Sequence, residues 1–446
     1  MSRFTGSPMT EGQGKPVGDG VTAEPDQQHE LPEKREQTEN QPHQDLNNAG
    51  RVKVMLLGSG ELSRELAIAF QRLGAEVIAV ERYADAPAHG VADQSLVVKM
   101  ADTDELTAVI GRLQPNYVVT LTDAVAADAL TAAAESGMTE VVPSARSARL
   151  TTDLEGLRRL AADELGLPTA PFWFAGSLDE LKAVAAHAGF PLLVRPLGVV
   201  AGQGQSTVAG PDDVEPAWQR AVSAGSPLTH NRVLVETAVE VDVHVTLLTV
   251  RSAGPAGPVI EFCAPIGHGE AGGDVLESWQ PQQLSPAALD VGKSVAARIV
   301  KALGGRGVFG VELMVRGDEV YFCDVTARPY ESGLVTLRTQ RLSQFELQAR
   351  AILGLAVDTI MISPGAAQVI YSGHDALGAS ADAEARAHGA LAEALAVPES
   401  DIRVFSYHEA ETRRRLGVAL ATAPDMSAAR DRARQVATAL RRLPHR

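Results

Sequence analysis

The chain has few cysteines, few aromatic residues and no long apolar segment. Its two cysteines, Cys263 and Cys323, lie in strand-like apolar segments, which excludes a disulfide framework and indicates buried thiols. No apolar segment approaches the ~20 residues that a transmembrane helix needs, and the first residues lack the apolar core of a signal peptide. We therefore expect a cytoplasmic protein without a membrane partner.

Positive charge is also scarce. The 40 Lys and Arg residues are outnumbered by 56 Asp and Glu residues, which gives a formal net charge of −16. A chain with this charge and no basic stripe lacks the field that attracts a nucleic acid. The composition is that of an ordinary globular protein, so we expect small-molecule ligands and no nucleic-acid partner.

The length predicts about three domains. Residues 1–50 are polar and poor in branched apolar residues, which predicts a disordered tail. Alternating strands and helices in 51–150 predict an α/β domain with a Rossmann-like parallel sheet. Antiparallel strands in 151–355 predict an α+β domain, and 356–446 reads as a small β-rich C-terminal domain.

An acidic hairpin is the strongest functional signal. Residues 307–333 read as two antiparallel strands joined by a Gly317-Asp318 turn, with Glu312 in the first strand and Asp324 in the second. An unpaired carboxylate is costly in an apolar strand, and a bound cation removes that cost. Two acids followed by Arg328 suit Mg²⁺ held against nucleotide phosphates. The alternative is that each acid pairs with a nearby Arg or Lys.

Two glycine-rich turns suggest phosphate binding more weakly. The first, Gly58–Ser63, nearly matches a dinucleotide fingerprint, with Glu81 about 20 residues further on. It lacks the third glycine, so a different ligand at this strand–helix turn is at least as reasonable. The second, residues 198–205, follows the strand that ends at Arg195 and is either a phosphate flap or an ordinary hairpin turn.

Other basic and polar residues allow two interpretations each. Arg414 and Arg415 open a strand and could hold a phosphate monoester or form a solvated surface cluster. His244, His268 and His408 lack metal-ligand spacing and read as structural or surface residues.

Long segments of the chain, taken in order, resemble the ATP-grasp superfamily, and within it the formate-dependent phosphoribosylglycinamide formyltransferases. The segments that carry this resemblance are LLGSGEL, EVIAVERYADAPA, VVPSAR, EGLRRLAADELGLPT, TLLTV, FCAPIGH, ESWQPQQLSP, ALGGRGVFGVEL and RRLGVALATA. The resemblance implies a Rossmann-like domain, a two-lobed ATP-grasp domain, a small C-terminal domain and a homodimer. It also implies ATP-driven activation of formate as an acyl phosphate, which the glycinamide amine then attacks in purine biosynthesis.

The resemblance assigns roles to individual residues. Glu312 and Asp324 match magnesium ligands, and Arg195 and Arg328 match residues that face the phosphates. The expected ATP-binding residues are Arg195, Val200, Ala201, Gly202, Gln203, Gly204, Gln205, Glu236, Thr237, Ala238, Val239 and His244. The expected substrate-binding residues are Glu61, Leu62, Leu121, Glu331, Tyr407, Arg414 and Arg415.

Several of these positions depart from the family pattern. At the ATP site, Arg195 and Gln203 stand in place of lysines, Leu154 in place of an arginine and His244 in place of a glutamate. At the metal site, Asp324 stands in place of a glutamate. At the substrate site, Leu121 stands in place of a glutamate, Tyr407 in place of a lysine and Glu331 in place of an aspartate. The main hypothesis is an ATP- and Mg²⁺-dependent carboxylate–amine ligase, acting on formate and glycinamide ribonucleotide or on a related pair. The alternatives are a non-catalytic ATP-grasp-like binding protein and an NAD-dependent enzyme.

Overall fold

The computed structural model describes residues 50–197, 204–224, 232–271, 275–372, 383–405 and 414–443. Three sheets and the helices between them make up this part of the chain. Within it, no helix combines the length and apolar character needed to cross a membrane.

The first sheet has five parallel strands in the order β3-β2-β1-β4-β5. Its elements are β1 (Lys53–Leu57), α1 (Glu61–Arg72), β2 (Glu76–Glu81), β3 (Gln94–Val97), α2 (Thr103–Leu113), β4 (Tyr117–Thr120), α3 (Ala127–Glu135), β5 (Glu140–Val142) and α4 (Ala145–Thr152). The central strand β1 is almost wholly buried, as its apolar sequence requires. Strand order reverses between β1 and β4, so the loops after these two strands form the crevice where doubly wound folds bind ligands.

The second sheet is antiparallel, with the order β6-β9-β7-β8. Its elements are α5 (Leu154–Arg159), β6 (Phe172–Ala175), α6 (Leu178–Ala188), β7 (Leu192–Pro196), β8 (Ser206–Val208), α7 (Val214–Ala224) and β9 (Val233–Thr237). Helix α5 continues directly into a π-helical segment, Leu160–Glu164. Such wide turns are frequent at functional sites.

The third sheet contains nine antiparallel strands. Its main path is β15-β14-β10-β12-β13-β16-β18-β17, and β11 pairs with β10. The strands are β10 (Val243–Gly254), β11 (Gly257–Phe262), β12 (Ile266–Glu270), β13 (Val275–Gln280), β14 (Gly307–Arg316), β15 (Glu319–Thr326), β16 (Gly365–Ser372), β17 (Ser400–Val404) and β18 (Arg414–Thr422). Strand β13 pairs with β16. Strands of the predicted central domain and strands of the predicted C-terminal domain therefore belong to one sheet.

Helices cover this third sheet. They are α8 (Pro286–Leu303), α9 (Thr336–Thr339), α10 (Gln344–Ile352), α11 (Ala383–Leu395) and α12 (Met426–Leu440). Ser285 caps α8 through its side chain, and the buried face of α8 carries Val295, Ile299 and Leu303. These residues pack in one apolar cluster with residues of β10, β14 and β15, which fixes the strands that hold the predicted metal ligands.

The acidic hairpin forms as predicted. Strands β14 and β15 are antiparallel neighbours, and Glu312 lies directly opposite Asp324. The next pair is Leu313 with Phe322, so Cys323 is an extra residue in a β-bulge. A bulge redirects the side chains beside it, here at the predicted metal ligand.

Candidate active site

Glu312 is held by residues of the next two strands in the sheet, β10 and β12. Its Oε1 accepts a hydrogen bond from Thr246 Oγ1 at 2.7 Å, and its Oε2 lies 2.7 Å from His268 Nε2. The side chain is 15% exposed. The partner of this carboxylate is therefore a histidine, where the alternative interpretation expected Arg or Lys.

Asp324 is held in a less favourable environment. Burial raises the pKa of the Asp324 carboxyl, Arg195 and Arg158 oppose that rise, and Glu312 adds to it. One backbone donor, the N–H of Val325, lies 2.7 Å from Asp324 Oδ1. A positive ion next to Glu312 and Asp324 would offset both the burial and the repulsion.

The two acids fit Mg²⁺ in number and chemistry. Mg²⁺ commonly takes one or two carboxylates, with phosphate oxygens and waters completing its shell. Over the described ranges, no group of three or more His, Cys, Asp or Glu side chains has the arrangement of a closed metal site. Two carboxylates leave positions in the Mg²⁺ shell for phosphate oxygens and waters, so the acid pair suits an ion that is delivered with a nucleotide.

A buried arginine lies between this hairpin and the second sheet. Arg158 Nη2 is 2.6 Å from Glu236 Oε1, and the arginine side chain is 1% exposed. Arg195 approaches the other oxygen, with Nη1 3.4 Å from Glu236 Oε2. Burial alone would lower the pKa of Arg195, but Glu236 and Asp324 outweigh it and raise the pKa. Sequence reasoning assigned Arg195 and Glu236 to the ATP site and missed Arg158.

The bulge residue Cys323 lies in the same charged cluster. Burial raises the pKa of its thiol to about 11, against the lowering effect of Arg158 and Arg195. Burial also raises the pKa of Cys263 to about 12. Both thiols are protonated at neutral pH, so neither acts as a nucleophile.

His244 lies directly across from His268 in the β10–β12 ladder. The ring centroids are 6.1 Å apart. Burial and the neighbouring His268 lower the pKa of His244, while Glu312 opposes this. An imidazole thus stands where the resemblance led us to expect a glutamate, two residues along β10 from Thr246, which hydrogen-bonds Glu312.

Three predicted substrate residues meet in a second cluster, although they are far apart in sequence. Arg415 Nη1 is 2.9 Å from Glu61 Oε2, and Arg415 Nε is 2.5 Å from Glu331 Oε1. Burial would lower the pKa of Arg415, but Glu331 and Glu61 hold it above its usual range. Tyr371, which sequence reasoning missed, donates from its hydroxyl to Glu331 Oε2 at 2.5 Å.

Two further predicted substrate residues are apolar, and Arg328 forms an ion pair of its own. Leu62 and Leu121 are partly buried against one apolar cluster, so neither offers a polar group to a ligand. Arg328 donates to both carboxylate oxygens of Asp123, at 2.6 and 3.0 Å. This pair connects the loop after β15 to the loop after β4.

Glu81, the acid that follows the first glycine-rich turn, accepts a hydrogen bond from within that turn. Glu81 Oε2 accepts from the Ser59 N–H, and Oε1 from the Arg82 N–H, both at 2.9 Å. Glu81, the acid that would bind the ribose in an NAD site, is therefore already hydrogen-bonded to backbone amides of the protein. Gly58 has φ +101°, and an added Cβ would lie 3.1 Å from the Thr122 side chain, so glycine is required there.

The remaining predicted residues divide into described and undescribed ones. Val200, Ala201, Gly202, Gln203 and Tyr407 lie outside the described residues, as does the side chain of Arg414. Gln205 is exposed and precedes β8, next to Gly204 at φ +68°.

The family resemblance assigns residues 236–239 to an adenine-binding linker, which begins within β9 and continues beyond it. The Thr237 N–H donates to the Pro171 carbonyl at 3.0 Å, and the Ala238 N–H to the Pro191 carbonyl at 3.1 Å. These bonds attach the linker to β6 and β7, beside Arg195.

Three family models match the chain in succession. They are the ribonucleotide synthetase preATP-grasp domain over residues 52–151, the ATP-grasp domain over 160–345 and the PurT, C-terminal model over 366–440. The formate-dependent phosphoribosylglycinamide formyltransferase of Corynebacterium glutamicum (strain R) is 52% identical over 392 residues, covering 87% of this chain and 94% of the relative. The chain belongs to that family. The enzyme of the same name from Rhodococcus jostii (strain RHA1) is 51% identical over 391 residues, with 87% and 95% covered.

Solved structures agree with the family and the fold. A structure described as glycinamide-RNase-transformylase T from Mycobacterium tuberculosis is 61% identical, covers 87% of this chain and 99% of its own, and has a TM-score of 0.74. A carboxyaminoimidazole ribonucleotide synthase from Aspergillus clavatus, complexed with ATP, has a TM-score of 0.74 at 21% identity, covering 88% of this chain and 99% of its own. The second match shows the fold alone. The predicted fold class and the predicted family are confirmed.

Proposed function

We propose that the protein is an ATP-dependent formyltransferase that activates formate as an acyl phosphate and passes the formyl group to the amine of phosphoribosylglycinamide. Family membership supports the reaction class. The observation that carries the proposal is the acid pair Glu312–Asp324, placed across paired strands and within electrostatic range of Arg195.

Glu312 and Asp324 would hold Mg²⁺, which neutralises phosphate charge when it is bound with ATP. Arg195 supplies a fixed positive charge beside Asp324, suited to the negative charge of a transferring phosphoryl group. Thr246 and His268 hold the Glu312 carboxylate in position, so that it needs little reorganisation when the nucleotide binds.

Arg328 would serve as a second cation. In the structure it is paired with Asp123, whose side chain is 59% exposed. An exposed partner contributes little, so an incoming phosphate can replace it at low cost.

The second cluster would bind the amine substrate. Glu61 and Glu331 supply carboxylate oxygens for ammonium or hydroxyl hydrogens, and Arg415 fixes their positions. Arg415, with Arg414 and Tyr407, would take the phosphate end. Formate attacks the γ-phosphorus and ADP leaves. The amine then attacks the carbonyl carbon, and phosphate leaves with the bridging oxygen.

The test is ADP release by purified protein, with each substrate omitted in turn. We expect release to require MgATP and formate, with formylglycinamide ribonucleotide formed only when the amine is present. Binding of MgATP without turnover on any carboxylate–amine pair would instead support a non-catalytic binding protein. Turnover on a different pair would support a related ligase, a candidate that apolar Leu121 at a predicted glutamate position favours.

We also propose a homodimer, as the family resemblance implies. Light scattering during size-exclusion chromatography should give about twice the 47.0 kDa chain mass, and a monomer mass would contradict the dimer.

A further inference from the structure

Arg158 is a buried cation with no role in the function proposed so far. It lies in α5, contacts Glu236 of β9 at 2.6 Å, and donates from Nη1 to the Phe322 carbonyl of β15 at 3.3 Å. Its guanidinium also lies 6.0 Å from the centroid of the Phe322 ring. A buried charge persists only where partners offset its desolvation, so this arginine is tied to both the adenine strand and the metal-ligand strand.

Glu236 is shared between two arginines. Arg158 occupies Oε1 at the shorter distance of 2.6 Å, and Arg195 lies 3.4 Å from Oε2. The Glu236 side chain is 7% exposed, the Arg195 side chain 16%. Apart from Asp324, which the proposed function assigns to the metal, two cations face one carboxylate. The remaining positive charge lies on Arg195, the more exposed and more distant of the two arginines.

We propose that Arg158 is a positioning residue that neutralises Glu236 and thereby keeps Arg195 available for the nucleotide phosphates. This assignment rests on the function proposed above. Without Arg158, Glu236 would be a buried carboxylate with Arg195 as its nearest cation. Arginine and carboxylate readily form a two-point hydrogen-bonded pair, which would draw Arg195 away from the phosphates.

A purely structural brace would behave differently. If Arg158 only joined the two sheets, its loss would weaken every ligand of the cleft, including adenosine. If it controls Arg195, its loss weakens ligands in proportion to their phosphate charge, and neutralising Glu236 restores them. Glu236→Gln keeps the backbone of the adenine linker and removes only the charge.

The experiment compares wild type, R158M, E236Q and R158M/E236Q by calorimetry with MgATP and with adenosine. R159M is the matched control, because Arg159 is the next residue and its side chain is 58% exposed. We expect R158M to weaken MgATP about 10-fold or more, since a charge-assisted contact is lost, and to leave adenosine affinity unchanged. In R158M/E236Q most of the MgATP affinity should return, and R159M should match wild type.

Equal loss for MgATP and adenosine, or a double variant no better than R158M, would overturn this role for Arg158. The double variant also covers the case in which R158M does not fold, because it removes the buried arginine and its carboxylate partner together. Weak MgATP binding by that variant overturns the role. A wild-type protein that binds no MgATP would overturn the proposed function and this role together. If wild type binds MgATP tightly but the variants give either of the contradicting results above, only the role of Arg158 is overturned.

Discussion

Asp324→Asn separates the metal function of this residue from its effect on stability. The pKa of Asp324 is raised in the folded protein, first by burial. A group with a raised folded-state pKa contributes stability below its unfolded pKa and loses that contribution as the pH rises through the folded-state pKa. At neutral pH the ionised carboxylate therefore costs stability, and a neutral asparagine removes that cost.

The magnitude follows from the hairpin geometry. Directly opposite residues have Cβ atoms about 5 Å apart, and two unit charges at that separation repel by about 3 kcal/mol at an effective dielectric constant of about 20. Attraction from Arg195 and from Arg158 is in each case the larger effect and more than offsets this repulsion, so burial is the cause that keeps the pKa of Asp324 raised. We expect the ligand-free variant to be as stable as wild type or about 1 kcal/mol more stable, and the advantage to shrink as the pH falls.

MgATP affinity should move the opposite way. Loss of one of two carboxylate ligands should weaken binding about 10- to 100-fold, by analogy with other charged contacts. Calorimetry gives the affinity and urea unfolding gives the stability. Glu319→Gln is the control, because Glu319 is an exposed acid at the start of the same strand. Unchanged MgATP affinity in Asp324→Asn would refute the metal assignment, and a marked loss of stability would refute the account of its burial.

Other substitutions test the turn, the substrate cluster and the nucleotide site. Glu81→Leu should lower the free energy of unfolding by about 1–3 kcal/mol, because the Ser59 and Arg82 amides lose their acceptors; urea unfolding equal to wild type would contradict this. Arg415→Met should raise the KM for phosphoribosylglycinamide far more than the KM for ATP, and equal changes would contradict the substrate assignment. Leu154→Arg, which restores the charge that the family pattern implies, should tighten ATP binding measured by calorimetry, and no change would show that another contact has replaced it.

Local signals predicted the parts of the site that lie close together in sequence. Residues 307–326 carry two apolar strands, a Gly-Asp turn and one acid within the apolar part of each strand. The hairpin and the pairing of Glu312 opposite Asp324 therefore follow from local sequence pattern. The second cluster was different. Arg415 is 354 residues from Glu61 and 84 from Glu331, and only the family resemblance brought them together.

The features that were not predicted from the sequence depend on contacts between segments that are distant in the chain. Strand β13, with the sequence VLESWQ, buries Glu277 because Arg430 lies 2.5 Å away on α12 and Gln368 contacts it from β16. His268 reaches Glu312 because β12 pairs with β10, a register that the glycine-containing segment IGHGE did not indicate. Arg158 reads as part of an ordinary charged helix, since its partners come from two different sheets.

The central claim is that formate is activated as an acyl phosphate, and the fate of its oxygen tests this directly. With formate labelled by ¹⁸O, MgATP and phosphoribosylglycinamide, mass spectrometry of the released phosphate should find one formate-derived oxygen for each formyl product. Formyl product with unlabelled phosphate would contradict the account.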